Sequence, residues 1–209
     1  NQQVDLTKVT DIDIEANLDV AQRSMQSNDY NRAIRHLQRI LQLRTNDFST
    51  INLLADAYLE VGEYEKAITT YERLSETTLP DSISSRICAR KAIALYYLGE
   101  KTRAFEELQQ CIKLFPTNPE SYCFLGQIQA SQEIPSQSAV ENLNRAISLD
   151  SNYVEAWYQL ARYNMEIKQY TKARELLLKA IDINPLHEKS QSRLGMVYYY
   201  LQNFDLAKK

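Results

Sequence analysis

The sequence contains few residues of the kinds that build the common catalytic and metal-binding motifs. It has four glycines, three cysteines and two histidines in 209 residues. The glycines are scattered, which excludes a Gly-rich phosphate loop. The histidines, His36 and His187, are too far apart for a zinc motif that needs two histidines one helical turn apart, and the cysteine spacings fit no metal motif. We therefore expect no metal, no cofactor and no catalytic activity.

The sequence also lacks an excess of positive charge and a long apolar run. Its formal net charge is -3, which gives no electrostatic footprint for nucleic acid. The longest mostly apolar stretch, 87–98, contains Arg90 and Lys91 and falls short of the roughly 18 to 20 residues that a membrane span needs. Residues 1–10 show no basic-then-apolar signal pattern. We expect an intracellular protein of the cytoplasm or nucleus that neither binds nucleic acid nor inserts into a membrane.

The strongest positive feature of the sequence is a period near 34 residues. Successive marker alanines are separated by 34, 37, 35, 34 and 34 residues. A spacing near 34 is typical of a repeat made of two helices and a turn. Four markers follow an aromatic residue by three positions and two are weaker copies: Tyr30–Ala33, Tyr64–Ala67, Ala104, Ala139, Tyr170–Ala173 and Phe204–Ala207.

Each period has room for two amphipathic helices. In the fullest copy, Trp157 and Leu160 fall on one face of a first helix, and Ala173 and Leu177 on one face of a second, which Pro185 ends. Glycine placement agrees with this pattern. Gly62 and Gly99 fall in predicted turns, where a positive φ is favourable. Gly126 and Gly195 fall where a first helix meets its partner and a missing side chain permits close approach.

With this order of small and large residues, the chain resembles the tetratricopeptide repeat family over roughly residues 14 to 209. The resemblance implies an all-α fold, a right-handed α-solenoid of antiparallel helix pairs. Residues 1–13 would form a leader or a short N-terminal helix. The predicted repeats are 14–47, 48–81, 85–118, 119–153, 154–187 and a partial repeat, 188–209.

The resemblance also implies that the first helices line an inner groove that binds a protein or peptide segment. Tyrosine and methionine are unusually frequent at the positions that should face this groove, and tyrosine is enriched at binding hot spots. The alternative is that these aromatic side chains only fill gaps between adjacent helices. The predicted groove residues are Asn52, Asp56, Arg86, Arg90, Ile93, Tyr96, Tyr97, Gln127, Tyr158, Arg162, Met165, Met196, Tyr199 and Tyr200.

One subclass of the family grips the C-terminal carboxylates of heat-shock chaperones with a five-residue clamp. Arg86 and Arg90 match two of those positions in kind, whereas Leu18, Gln22 and Leu53 do not match the other three. A chaperone clamp is therefore disfavoured. We expect a non-catalytic scaffold or adaptor within an intracellular multiprotein complex. The alternative is a substrate-recruiting region of a larger enzyme, as the resemblance to the array of O-linked N-acetylglucosamine transferase would allow.

Overall fold

The computed structural model describes residues 6–75, 79–131 and 137–201. These residues contain eleven α-helices and no strand. The chain divides into two compact units, residues 1–107 and 108–209. The predicted all-α class is confirmed, and none of the described helices combines the length and the apolar character of a membrane span.

The first unit is built from antiparallel helix pairs. α1 packs on α2 and α3 on α4, while α2 contacts α3 and α4 contacts α5 across successive pairs. The antiparallel arrangement is visible in the first pair, where Asn17 of α1 contacts His36 of α2 and Asp11 contacts Arg44. The helices are α1 (Leu6–Gln26), α2 (Tyr30–Leu43), α3 (Phe48–Val61), α4 (Tyr64–Ser75) and α5 (Asp81–Tyr97), followed by α6 (Lys101–Leu114), within which the two units divide.

The second unit repeats this construction. α7 packs on α8 and α9 on α10, and α11 then packs on α10. The first helices of consecutive pairs are also in contact, α7 with α9 and α9 with α11. Small residues of the period allow this packing, since Ala139 and Ala173 are fully buried. The helices are α7 (Pro119–Ala130), α8 (Gln137–Leu149), α9 (Val154–Glu166), α10 (Tyr170–Ile183) and α11 (Glu188–Tyr200).

The turns within helix pairs use left-handed backbone conformations. Gly62 and Gly99 have φ values of 84° and 98°, as the sequence predicts. Two other turns reach the same region without glycine, at Asn28 with φ 59° and Lys168 with φ 61°. Asparagine tolerates this conformation better than most residues, but nothing in the local sequence identifies Lys168 as a residue of positive φ.

Gly126 fixes the contact between α7 and α8. A Cβ atom at this position would lie 2.7 Å from Cγ of Leu143 and 3.0 Å from the carbonyl oxygen of Ala139. Both distances are shorter than ordinary carbon contacts. The predicted close approach at Gly126 is therefore confirmed, and the two helix backbones can approach this closely only because residue 126 has no side chain.

The predicted repeat boundaries stay a prediction. α1 is continuous from Leu6 to Gln26, so the boundary drawn at residue 13 falls inside a helix. α5 begins at Asp81, so residues 82–84, which lie between two predicted repeats, form part of its first turn. The last marker step, at 204–207, lies outside the described residues.

Candidate partner-binding surfaces

All seven predicted groove residues of the first unit lie on α3 and α5. Among the first four, Asn52, Asp56, Arg86 and Arg90, the centre of the contacts is Asp56. Its side chain is nearly buried, and the hydroxyl of Tyr71 donates a hydrogen bond of 2.5 Å to Oδ1. Arg86 and Arg90 of α5 approach the same carboxylate at 3.6 and 3.5 Å. Asp56 is therefore an internal acceptor that joins α3, α4 and α5.

The same contacts give Arg86 and Arg90 ion-pair partners within the chain. Arg90 also lies 3.8 Å from Glu60, so both arginines have carboxylate neighbours within the chain. A carboxylate from a partner would have to compete with these ion pairs. This arrangement adds a structural reason to disfavour a chaperone clamp here. Asn52, the fourth of these residues, has a buried Oδ1 that accepts no hydrogen bond from the described residues.

The remaining predicted residues of this unit form an aromatic edge at the end of α5. Tyr97 is half-exposed and stacks on Tyr64, the first residue of α4, with ring centroids 5.6 Å apart. Tyr96 meets Tyr97 edge-on at 5.6 Å. Ile93 packs against the core of the unit. The aromatic side chains thus fill a gap between helices and also expose one ring.

The second unit contains a pocket where α9, α10 and α11 meet. Its volume is about 410 Å³, within the range of small-ligand sites. Four of its residues belong to the predicted groove, Arg162, Met165, Met196 and Tyr200. The full lining is Arg162, Met165, Glu166, Tyr170, Arg193, Met196 and Tyr200.

Aromatic and thioether side chains form the apolar wall of this pocket. Tyr200 stacks on Tyr170 with centroids 4.7 Å apart, and Tyr199 meets Tyr200 edge-on at 5.9 Å. Met196, Tyr199 and Tyr200 are all exposed on α11. An exposed aromatic and methionine surface beside a concavity is suited to hold the apolar side chain of a partner.

The polar wall carries two guanidinium groups and one carboxylate. Arg162 lies 3.6 Å from Glu166 one turn later in α9. Arg193 of α11 places Nη1 3.6 Å from the sulfur of Met196. The pocket therefore has one more cation than anion and could orient a polar or acidic group next to an apolar side chain.

Three predicted residues of the second unit lie outside this lining: Tyr199, which is exposed beside it, and Tyr158 and Gln127. Tyr158 is only 7% exposed and meets the ring of His187 edge-on at 5.5 Å. Gln127 accepts a hydrogen bond of 3.0 Å from Gln159, which also donates to Glu155 at 2.7 Å. Tyr158 and Gln127 support the contact between α7, α9 and α11 and offer little surface to a partner.

Sequence reasoning missed Tyr170 and Arg193 as pocket residues. The sequence identifies Tyr170 only as a repeat marker, but Tyr64 occupies the equivalent first position of a second helix and also stacks on a tyrosine. Arg193 precedes Met196 by three residues and so shares its helical face. Both signals were present in the sequence, but their use requires knowing which helices meet.

The lowered pKa values of the two histidines should make the stability of the fold depend on pH. Burial, followed by the charges of Arg39, Arg32 and Arg35, lowers the pKa of His36 below 6.5. Burial lowers the pKa of His187 despite the opposing effect of Glu155. The folded chain therefore binds fewer protons than the unfolded chain near pH 6, and the free energy of unfolding should fall as pH drops through about 6.5.

Urea unfolding at about pH 7.5 and about pH 5.5 tests this expectation. The wild-type chain should lose stability at the lower pH, and a His36→Gln, His187→Gln variant should lose less over the same interval. An equal loss in both chains would show that other groups cause the pH dependence.

Family comparisons agree with the repeat pattern. Three family models described as tetratricopeptide repeat match residues 24–90, 90–118 and 154–187. Together these matches cover more than half of the chain. Among solved structures, the chain is similar to a TPR protein of Thermus thermophilus, with TM-score 0.74, 17% identity, and coverage of 89% of this chain and 99% of that chain. It is also similar to the APC/C hetero-tetramer Cut9-Hcn1, with TM-score 0.75, 19% identity, and coverage of 93% and 38%.

The curated relatives are longer proteins, and this chain matches only part of each. Anaphase-promoting complex subunit 3 of Schizosaccharomyces pombe is 28% identical over 69% of this chain and 21% of its own length. Hsp70-Hsp90 organizing protein 3 of Arabidopsis thaliana is 22% identical over 87% and 38%. Human protein O-mannosyl-transferase TMTC3 is 21% identical over 77% and 19%. The chain thus spans less than two-fifths of the length of each of these relatives.

Proposed function

Because this chain belongs to the tetratricopeptide repeat family, we propose that it is a non-catalytic interaction scaffold or adaptor in an intracellular multiprotein complex. It binds a protein or peptide segment on the surface formed by its first helices. In the second unit, the segment occupies the pocket between α9, α10 and α11.

The pocket lined by Met196 and Tyr200 is the observation that carries this proposal. Its exposed aromatic and thioether side chains are residue types that contribute strongly to protein interfaces. Its two arginines, set against one glutamate, would accept a polar or acidic side chain of the same segment. In the first unit, Tyr96 and Tyr97 are the residues proposed to contact a partner.

The relatives support an interaction role in general terms. One is named as a subunit of the anaphase-promoting complex and another as an organizing protein for two chaperones. Neither name assigns a complex to this chain. Because Arg86 and Arg90 are paired with Asp56, we do not propose the C-terminal tail of a chaperone as the partner.

A second candidate is a substrate-recruiting region of a larger enzyme. The observation in its favour is the match to an O-mannosyl-transferase, of which this chain covers 19%. The residues that follow Lys209 in the full-length gene discriminate between the two proposals. A catalytic domain there would favour recruitment to an enzyme, whereas further repeats would favour the scaffold.

A photocrosslinking residue at position 196 tests the pocket directly. We expect the chain with benzoylphenylalanine in place of Met196 to crosslink a partner in the cell of origin. The same residue in place of Leu178, which is exposed on α10, is the matched control. Mass spectrometry of the adduct identifies the partner and the segment that is bound.

The identified segment then allows a quantitative test. Met196→Ala with Tyr200→Ala should weaken binding of this segment by about a hundredfold. Truncation of each central interface residue costs about 1 to 2 kcal/mol, so the two together cost about 2.7 kcal/mol. Leu178→Ala with Leu186→Ala, which truncates two exposed side chains elsewhere, should leave binding unchanged. Equal crosslinking at positions 196 and 178, or equal affinity of the two double variants, would contradict a pocket-centred interface.

A further inference from the structure

The outer face of α2 carries an arginine stripe, defined as Arg32, Arg35 and Arg39. All three side chains are exposed, and their spacings of three and four residues place them on one side of the helix. The buried residues of α2, such as Ala33 and Leu37, lie on the opposite side. The stripe is therefore not part of the core, nor does it belong to the first-helix surfaces described above.

The three charges of the stripe have no ion-pair partner among the described residues. In the described part of the chain, no carboxylate lies within 4.0 Å of these guanidinium groups, whereas nearby Arg44 pairs with Asp11 at 2.5 Å. The carboxylate of Asp29 accepts a hydrogen bond of 3.1 Å from the backbone N–H of Arg32 and so caps the helix. Like charges one turn apart disfavour a helix, so folding alone does not account for the stripe.

The same three charges also act on the neighbouring side chain of His36. Burial is the largest cause of the lowered pKa of His36, and the charges of Arg39, Arg32 and Arg35 follow in that order. The imidazole Nδ1 is 2.8 Å from Oδ1 of Asn17, so the ring is held by a neutral neighbour. An anion placed over this face would therefore meet a local excess of positive charge.

We propose that the arginine stripe binds an acidic segment of a partner protein, rich in aspartate or glutamate. Guanidinium groups form paired hydrogen bonds with carboxylates and lose little hydration on binding. From Arg32 to Arg39 the helix rises by about 10 Å. Because alternate side chains of an extended segment share a face, carboxylates at positions i, i+2 and i+4 span about 13 Å and can reach all three arginines.

Other polyanions fit the stripe less well. Anionic lipid surfaces are typically recognised by clusters of about four to eight basic residues. Tight nucleic-acid binding commonly involves about six to ten phosphate contacts. Three arginines on a chain of net charge -3 are too few for either surface, whereas a short acidic peptide needs no more than three.

Fluorescence anisotropy with the 209-residue chain and a labelled decaglutamate peptide tests the stripe. We expect Arg32→Gln, Arg35→Gln, Arg39→Gln to weaken binding about tenfold at about 0.05 M salt, and the wild-type affinity to fall as salt is raised to about 0.5 M. Arg→Lys at the same three positions keeps the charge but loses the paired hydrogen bonds, and we expect it to bind with intermediate affinity.

A charge-matched variant separates the stripe from net charge. Lys113→Gln, Lys172→Gln, Lys179→Gln removes three exposed cations from other helices and should bind the peptide like the wild type. The proposal is overturned if the two glutamine variants weaken binding equally, or if the wild-type chain does not bind decaglutamate. Stronger binding to phosphatidylserine vesicles or to single-stranded DNA than to the peptide would also overturn it. Far-UV circular dichroism confirms that each variant is folded.

Discussion

Gly126→Val is expected to destabilise the second unit by about 3 kcal/mol. The added Cβ atom would lie 2.7 Å from Leu143 and 3.0 Å from the backbone of Ala139, and valine adds two further carbons to this contact. Leu143 is fully buried, so its side chain has little room to move aside. α7 and α8 must therefore separate, and the core that they share with α9 loses contacts.

Urea unfolding followed by far-UV circular dichroism measures this loss. Ala16→Val, at an exposed position of α1, is the control because it adds two carbons to a helix without crowding a neighbour. It should cost no more than about 0.5 kcal/mol. A second check is a double-mutant cycle, because Leu143→Ala should destabilise the Gly126→Val chain much less than the wild type. Additive effects of the two substitutions would contradict the steric explanation.

Asp56→Ala is expected to cost about 3 kcal/mol, the second largest effect. The substitution removes the acceptor of Tyr71, whose side chain is fully buried, and the shared carboxylate of Arg86 and Arg90. Asp56→Asn keeps an acceptor for the tyrosine hydroxyl and should cost less. Tyr71→Phe should cost less in the Asp56→Ala chain than in the wild type, because the hydrogen bond to Asp56 is already lost there.

Asp19→Ala provides the matched control for this prediction. Asp19 also pairs with an arginine, Arg23 at 3.0 Å, but both side chains are more than half exposed. Exposed pairs of this kind contribute about 0.3 to 0.5 kcal/mol. Comparable losses for Asp56→Ala and Asp19→Ala in thermal and urea unfolding would show that Asp56 is not the internal acceptor that its contacts indicate.

Much of the fold could be predicted from the sequence because the packing rules are local and repeated. A small residue must stand where second helices approach their partners, and Ala33, Ala67 and Ala173 are all fully buried. A turn of positive φ favours glycine, which identified the turns at Gly62 and Gly99. The start of α1 was less predictable, since Leu6 to Gln26 form one helix with no proline or glycine to mark an internal boundary.

The candidate sites were harder to predict because they depend on neighbours distant in sequence. Helical periodicity assigned Asp56 to the open face of α3, although one helical step of 100° separates that face from the core. The contacts of the Asp56 side chain depend on Tyr71 of α4 and Arg90 of α5, both of which reach its carboxylate. Tyr158 is buried for a similar reason, since His187 at the start of α11 lies against its ring.

The stacked ring pair of Tyr170 and Tyr200 has a consequence for how such arrays acquire binding properties. One ring begins the second helix of a pair and the other ends the first helix of the following pair. The cavity they border is thus a property of the junction and is absent from an isolated helical hairpin. Duplicating a hairpin in the gene adds a junction along with the copied module. New recognition sites can therefore arise from changes in copy number, before any residue is substituted.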